Sequence, residues 1–217
     1  MLHIINESFP MKEKDIGEFS SMKVSIMKFK VRSFDVAGLG HVSVMAAAGL
    51  LGLMKMETLV INPFEKDAPL FSYDRVHAMG NETILLELYD TLMNAERKPF
   101  SDAAEMALIP FKDIPDETFP ESWDAEILMS GSVKKKGKKK ISGRFDQLET
   151  EYLKSYIQMV QTSPSCKSDE KKKAAAVYSE GLLKNGGVST SVFLKAKGQE
   201  FTEKFFREAL FGTGSPD

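Results

Sequence analysis

Cysteine is nearly absent from this chain of 217 residues: Cys166 stands alone. A single thiol excludes an internal disulfide and any zinc or iron–sulfur site built from several cysteines. An excess of either charge is missing too, with 29 Lys and Arg against 31 Asp and Glu and a formal net charge of −2. Such a balance gives no general field for nucleic acid or an anionic membrane, so any electrostatic role must be local. Long apolar runs are also lacking. Residues 42–54 are apolar apart from Ser43 but number 13, against roughly 20 needed to cross a bilayer. Their Ala46-Ala47-Ala48-Gly49 centre fits close backbone packing inside a soluble fold. With one thiol and no signal peptide, the expected compartment is a reducing cytoplasm.

What is present is an ordinary globular composition, 42% hydrophobic and 28% charged. The length predicts one domain over residues 1–217 with a sizeable core, residues 1–20 forming a short helix or a loose arm. Alternation predicts strands at 22–33, 57–61, 70–79 and 83–89. Gly80-Asn81 is a turn, which makes the last two antiparallel neighbours. Residues 34–54 fit either a buried strand pair or a small-residue helix. Residues 91–107 read as loop with some helix, Asp102 serving as N-cap, and Pro110, Pro115 and Pro120 mark an extended connection. Strands at 125–133 and 140–145 would flank a hairpin tip at 134–139. The last third turns helical. Three- and four-residue spacings place helices at 146–162, from Ser168 to a cap at Asn185-Gly186-Gly187, and at 200–210, with a short turn ending at Gly198. A mainly antiparallel sheet followed by helices that cover its faces is the expected picture.

The stretch from Asn62 to His77 holds the first sign of a site. Alternation from Leu70 places Ser72, Asp74 and Val76 on its face, and Phe71, Tyr73, Arg75 and His77 on the other. An inward aspartate is costly unless a charged or hydrogen-bonding group faces it. Asp74 could equally pair with Arg75 or Lys66 at a sheet edge.

Two blocks carry a family likeness. Asp67-Ala68-Pro69-Leu70-Phe71-Ser72-Tyr73-Asp74 is similar to a Pro-x-Phe-x-x-Asp segment. Lys197-Gly198-Gln199-Glu200-Phe201-Thr202-Glu203-Lys204-Phe205-Phe206-Arg207-Glu208-Ala209-Leu210-Phe211 is similar to a closing amphipathic helix. Both resemble the ferredoxin-dependent bilin reductases, a group related to the red chlorophyll catabolite reductases. The connection from Asp113-Ile114-Pro115 to Trp123 is a weaker likeness. The resemblance implies a three-layer α/β/α sandwich and a linear-tetrapyrrole (biliverdin-like) pocket between the sheet and the C-terminal helices. It implies radical reduction with electrons from ferredoxin and no bound flavin or metal, in the cytoplasm or a plastid stroma. Asp74 would donate the proton, with His41 or Glu57 assisting, and Phe71, Tyr73, Arg75, Asn185 and Phe206 would line the pigment. A carboxyl under an apolar ligand holds its proton near neutral pH, and a pigment radical anion must be protonated as it forms. The sequence departs from the pattern in two places. Glu57 and Thr58 stand where some relatives have His or Asn, and Gly186 and Gly187 stand where some have a second acid. A pigment-binding protein without catalysis is the alternative on the same fold.

Lys134-Lys135-Lys136-Gly137-Lys138-Lys139-Lys140 is the strongest charge feature. It reads as a solvated hairpin tip, or, on the resemblance, as a surface (Lys134, Lys135, Lys136, Lys138, Lys139) that steers an acidic ferredoxin. No aromatics interleave it, which argues against single-stranded nucleic acid. An unrelated α+β domain acting through these lysines is a third reading. His41 and His77 with Asp74 have no spacing that asks for a metal.

Overall fold

The computed structural model describes residues 1–49, 52–118, 122–186 and 188–214. Alternating segments pair into one sheet, and the periodic segments of the last third become helices. In chain order the elements are α1 (Leu2–Ser8), β1 (Met11–Glu13), β2 (Ser21–Val24), β3 (Met27–Val36), β4 (Gly40–Gly49), β5 (Met54–Asn62), β6 (Leu70–Ala78) and β7 (Asn81–Tyr89). There follow α2 (Arg97–Leu108), β8 (Val133–Lys138), α3 (Ser142–Thr162), α4 (Ser168–Asn185), α5 (Val188–Lys197) and α6 (Gln199–Lys204), the last continued by a π-helical turn at Phe205–Leu210. The sheet order is β1-β3-β4-β5-β6-β7-β8, with β2 also on β3, and every pairing is antiparallel.

The period-2 alternation divides the sheet between two cores. Leu59, Ile61, Phe71, Tyr73, Ile84, Leu86 and Leu88 face α1, α2 and α3. Val31, Met45, Val60, Leu70 and Tyr89 face α4, α5 and the π-helical end. This is the three-layer α/β/α sandwich that the family resemblance implies. Phe71 stacks between Tyr152 and Tyr156 of α3, at centroid distances of 5.9 and 5.1 Å. Burying one such ring contributes about 1.5–3 kcal/mol. The Tyr156 hydroxyl donates to the Pro69 carbonyl (2.8 Å), tying α3 to the entrance of β6. Among the described residues no helix is long and apolar enough to cross a membrane.

Several expectations are corrected. The expected strand at 22–33 is two strands, because Ser25-Ile26 turns the chain with Ser25 at φ 56°; no glycine advertises that turn. Residues 40–49 resolve their ambiguity as β4. The N-terminal segment is not loose: Ile4 and Ile5 are buried and β1 pairs with β3. Helix α2 starts at Arg97, upstream of Asp102, and its first turn has no side-chain cap. Pro110 lies in a 3₁₀ turn that extends α2, while Pro120 and Gly187 fall outside the described residues. Residues 125–132 make turns and an isolated bridge instead of a strand, and α3 already begins at Ser142.

The lysine run is likewise not a hairpin tip. It forms β8, an edge strand paired to β7 from Val133 to Lys138. Lys135 is buried and donates to the Ile114 carbonyl (2.9 Å) and Asp116 (2.8 Å). Lys134 and Lys136 both reach Glu117, at 3.3 and 2.8 Å. Lysines on an edge strand also deter pairing with a foreign sheet.

One polar knot fastens the sheet to α4. Lys171, fully buried, donates to the carbonyls of Ala68 (2.7 Å) and Thr91 (2.5 Å) and stands 3.5 Å from Asp67. Asp67 accepts from the backbone amides of Met93, Asn94 and Ala95 at 2.7–2.8 Å. Those amides and Lys171 hold the Asp67 carboxyl below the usual range although burial opposes them.

Candidate functional site

Strand alternation dictates which side chains meet beneath the C-terminal helices. On β6, Ser72 and Asp74 face that layer. The register sets Thr58 of β5 opposite Asp74 and Glu87 of β7 opposite Ser72. Glu87 is therefore a diagonal neighbour of Asp74, with their Cα atoms about 7–8 Å apart. The Thr58 hydroxyl donates to Asp74 Oδ1. Two residues beyond Glu87 on the same face, the Tyr89 hydroxyl donates to Asp124 Oδ2 (3.2 Å).

Aromatic rings from α4 and the loop before β8 roof this cluster. Tyr178 of α4 stacks on Tyr89 at 3.9 Å, and Trp123 stacks on Tyr178 at 5.8 Å. Gly181 lets the indole lie flat on α4, because a Cβ there would stand 2.1 Å from the Trp123 ring. The roof does not extend across the far ends of β5, β6 and β7. Met56, Val76, Thr83 and Leu85 share the Asp74 face and are partly exposed, so they form an apolar shelf beside the two acids.

This setting raises the proton affinity of both acids. Burial pushes Asp74 up to about 6, against the Thr58 hydroxyl, which favours the charged form. Burial also pushes Glu87 up to about 8; the Asp74 and Asp124 carboxyls add to that, and Tyr89 and Lys134 oppose it. The two form a pair of like groups in a poorly hydrated place, where ionising one hinders ionising the other. Burial also lifts the Tyr89 and Tyr178 phenols well above their usual range, so both stay neutral donors. Among the described residues no group of three or more His, Cys, Asp or Glu has the arrangement to hold a metal ion.

A stability measurement follows from this geometry. Unfolded Asp and Glu titrate near 3.9 and 4.3, so the folded chain binds more protons between about pH 4 and 8. Stability contributed by these acids is fully present below pH 4 and is lost as pH rises, by at most about 1.4 kcal/mol per pH unit for each acid, the Asp74 part by about pH 6 and the Glu87 part by about pH 8. Thermal unfolding between pH 5.5 and 8.5 should show a decline that flattens in an Asp74→Asn/Glu87→Gln double variant. Parallel curves for the two proteins would refute it.

The other sequence-predicted residues are distributed elsewhere. Phe71, Tyr73 and Arg75 stand on the opposite face of the sheet from Asp74, as the alternation required. Phe71 and Tyr73 belong to the α3-side core, where the Tyr73 hydroxyl donates to Glu149. Arg75 is held by Glu82 (2.6 Å), Asp146 (2.6 Å) and Glu149 (3.1 Å). Glu57 is exposed on that same opposite face, in a cleft with Arg75, His77 and Lys139, and therefore does not meet Asp74. His41 shares the Asp74 face but sits two strands away, opposite Asn62. It is 2% exposed, burial pushes it down to about 4, and Gly212 packs against its ring. His41 borders a different cleft of about 520 Å³, with Lys12, Lys14 and Lys172. Phe206 is buried with Phe193, Phe205 and Phe211 in the C-terminal layer, and Asn185 is exposed at the end of α4. Gly186 closes that helix at φ 81°.

The sequence reading missed Glu87, Tyr89, Asp124 and Tyr178. The register of β6 on β7 was the available signal: a hairpin turn at residues 79–80 sets Glu87 opposite Ser72.

No protein-family model matches the chain, and no curated protein matches it. Among solved structures, the crystal structure of selenomethionine phytochromobilin synthase from tomato in complex with biliverdin is similar over 99% of this chain and 84% of that chain. The TM-score is 0.77 at 14% sequence identity. The likeness accords with the resemblance drawn from the sequence, and it shows a shared fold at wide divergence.

Proposed function

We propose that this chain is an oxidoreductase that reduces a linear tetrapyrrole of the biliverdin class, with Asp74 as proton donor and ferredoxin as the electron source. One observation carries the reading: Asp74, held by Thr58, faces the C-terminal helices beside the partly exposed apolar shelf of Met56, Val76 and Leu85, where burial raises its affinity for a proton. A flat conjugated ligand buries its area on Met56, Val76 and Leu85 and meets Asp74 edge-on. The first electron that enters it is then matched by a proton from Asp74, a group already in place. The biliverdin complex of the tomato synthase, on the same fold, supports the substrate class. Lys136, Lys138 and Lys139, all exposed on or beside the β8 edge, offer a positive rim to an acidic electron donor.

The test is to mix the protein with biliverdin, add a chemically reduced ferredoxin, and follow the visible spectrum. Loss of the pigment's long-wavelength band with a new product band is expected. An unchanged spectrum beside an active control reductase overturns the reading. Stoichiometric binding that survives reduced ferredoxin would make the chain a pigment carrier.

A further inference from the structure

We infer that Glu87 is the second proton donor of this site, supplying the proton that accompanies the second electron. The inference rests on the reading above, and it answers a problem that reading leaves open. Reduction of one conjugated unit takes two electrons and two protons, and Asp74 holds one proton. The α4–α5 junction offers no acid at Gly186.

Position is the first support. Glu87 faces the same layer as Asp74 from the adjacent strand, one diagonal step away in the register. A tetrapyrrole is longer than that step, so a pigment lying on the shelf with one end at Asp74 comes within a diagonal step of Glu87 at the margin of the aromatic roof. Surroundings are the second. Glu87 is 8% exposed, and the Tyr89 hydroxyl is the neighbouring side-chain donor to its carboxyl. The titratable groups around it are Asp74 on β6, Tyr89 on β7, Asp124 on the loop before β8, Tyr178 on α4 and Lys134 on β8. Burial and the Asp74 and Asp124 carboxyls disfavour its ionised form and outweigh the Tyr89 hydroxyl and Lys134, so the carboxyl keeps its proton. A route for replacing the proton is also present. Tyr89 stands between Glu87 and Asp124, and the partly exposed Asp124 accepts from the Tyr89 hydroxyl.

The steps balance. A first reduced iron–sulfur ferredoxin gives one electron, the pigment becomes a radical anion, and the Asp74 O–H bond breaks as a C–H bond forms. A second reduced ferredoxin gives another electron, the Glu87 O–H bond breaks, and a second C–H bond forms. Two ferredoxins are oxidised, the pigment gains two hydrogens, and both carboxylates are reprotonated from solvent.

The experiment is a single-turnover reduction of bound biliverdin followed by rapid-mixing absorbance and electron paramagnetic resonance. It compares wild type, Glu87→Gln and Glu87→Asp. Glutamine copies the shape of the neutral acid and cannot give up a proton. We expect Glu87→Gln to bind pigment within about threefold of wild type. It should form the one-electron-reduced radical at the normal rate and then hold it, with the second step slowed by about 10²–10⁴-fold. Glu87→Asp should restore part of that step and shorten the radical's lifetime. Complete two-electron reduction by Glu87→Gln at the wild-type rate, without radical build-up, overturns the assignment while leaving the proposed function intact. Failure of wild type to reduce the pigment overturns both. Loss of pigment binding in Glu87→Gln and Glu87→Asp alike would make the residue structural and overturn the assignment too.

Discussion

Replacing Asp74 by asparagine is expected to slow pigment reduction by about 10²–10⁴-fold while leaving pigment affinity within about threefold. The amide keeps the size of the side chain and its contact with Thr58, so the shelf of Met56, Val76 and Leu85 is undisturbed. What is lost is the proton held next to the ligand. The block should fall at the first reduction step, where charge first appears on the pigment, whereas loss of Glu87 falls at the second. Rapid-mixing spectra of the variant should therefore show bound, unreduced biliverdin and little radical. Turnover within threefold of wild type would remove Asp74 from the chemistry. The two variants together separate a site with ordered donors from one in which either acid serves either step.

The second large effect concerns folding. Lys171→Met should lower stability by about 3–5 kcal/mol, the range seen when one partner of a buried ion pair is removed. The methionine fills similar space, but the carbonyls of Ala68 and Thr91 lose their donor and the Asp67 carboxylate loses the buried ammonium beside it. For a chain of this size that corresponds to a fall in melting temperature of about 10 °C. Pairing it with Asp67→Asn should cost less than the sum of the two single changes, since the neutral amide no longer needs the ammonium. Strict additivity would show that the lysine and the aspartate act separately. Because this knot joins the entrance of β6, the loop after β7 and the first turns of α4, the single variant should also loosen the roof over the acids.

Strand alternation made the face of Asp74 legible from the sequence, because side chains two apart must share a side of the sheet. The same rule hid Glu87. Along β7, Ile84, Leu86 and Leu88 form a plain apolar stripe, and Thr83, Leu85 and Glu87 look like the solvent side of an edge-type strand. Only α4, packed there from some 90 positions later in the chain, turns that side inward. Alternation says which residues are together and not which face is covered. The lysine run misled for a related reason. Consecutive like charges read as solvated, yet Lys135 is buried, paired with Asp116 and donating to the Ile114 carbonyl, partners that no local pattern names. Helices were easier to read, since α3 and α4 carry their periodicity within themselves. Phe71, Tyr73 and Arg75 lie next to Asp74 in sequence, but a strand sends its neighbours to opposite sides.

The aromatic roof has an optical consequence. Trp123 is the only indole in the chain, and it rests on Tyr178 directly over the seam that holds Glu87. Its fluorescence therefore comes from one known place, without the averaging that several tryptophans impose. A conjugated pigment entering between the sheet and α4 would sit within energy-transfer range of that indole and darken it. Movement of α4 away from the sheet would shift its emission to the red as water reached the ring. One emission band thus separates an occupied seam from an opened one, with no label added to the protein.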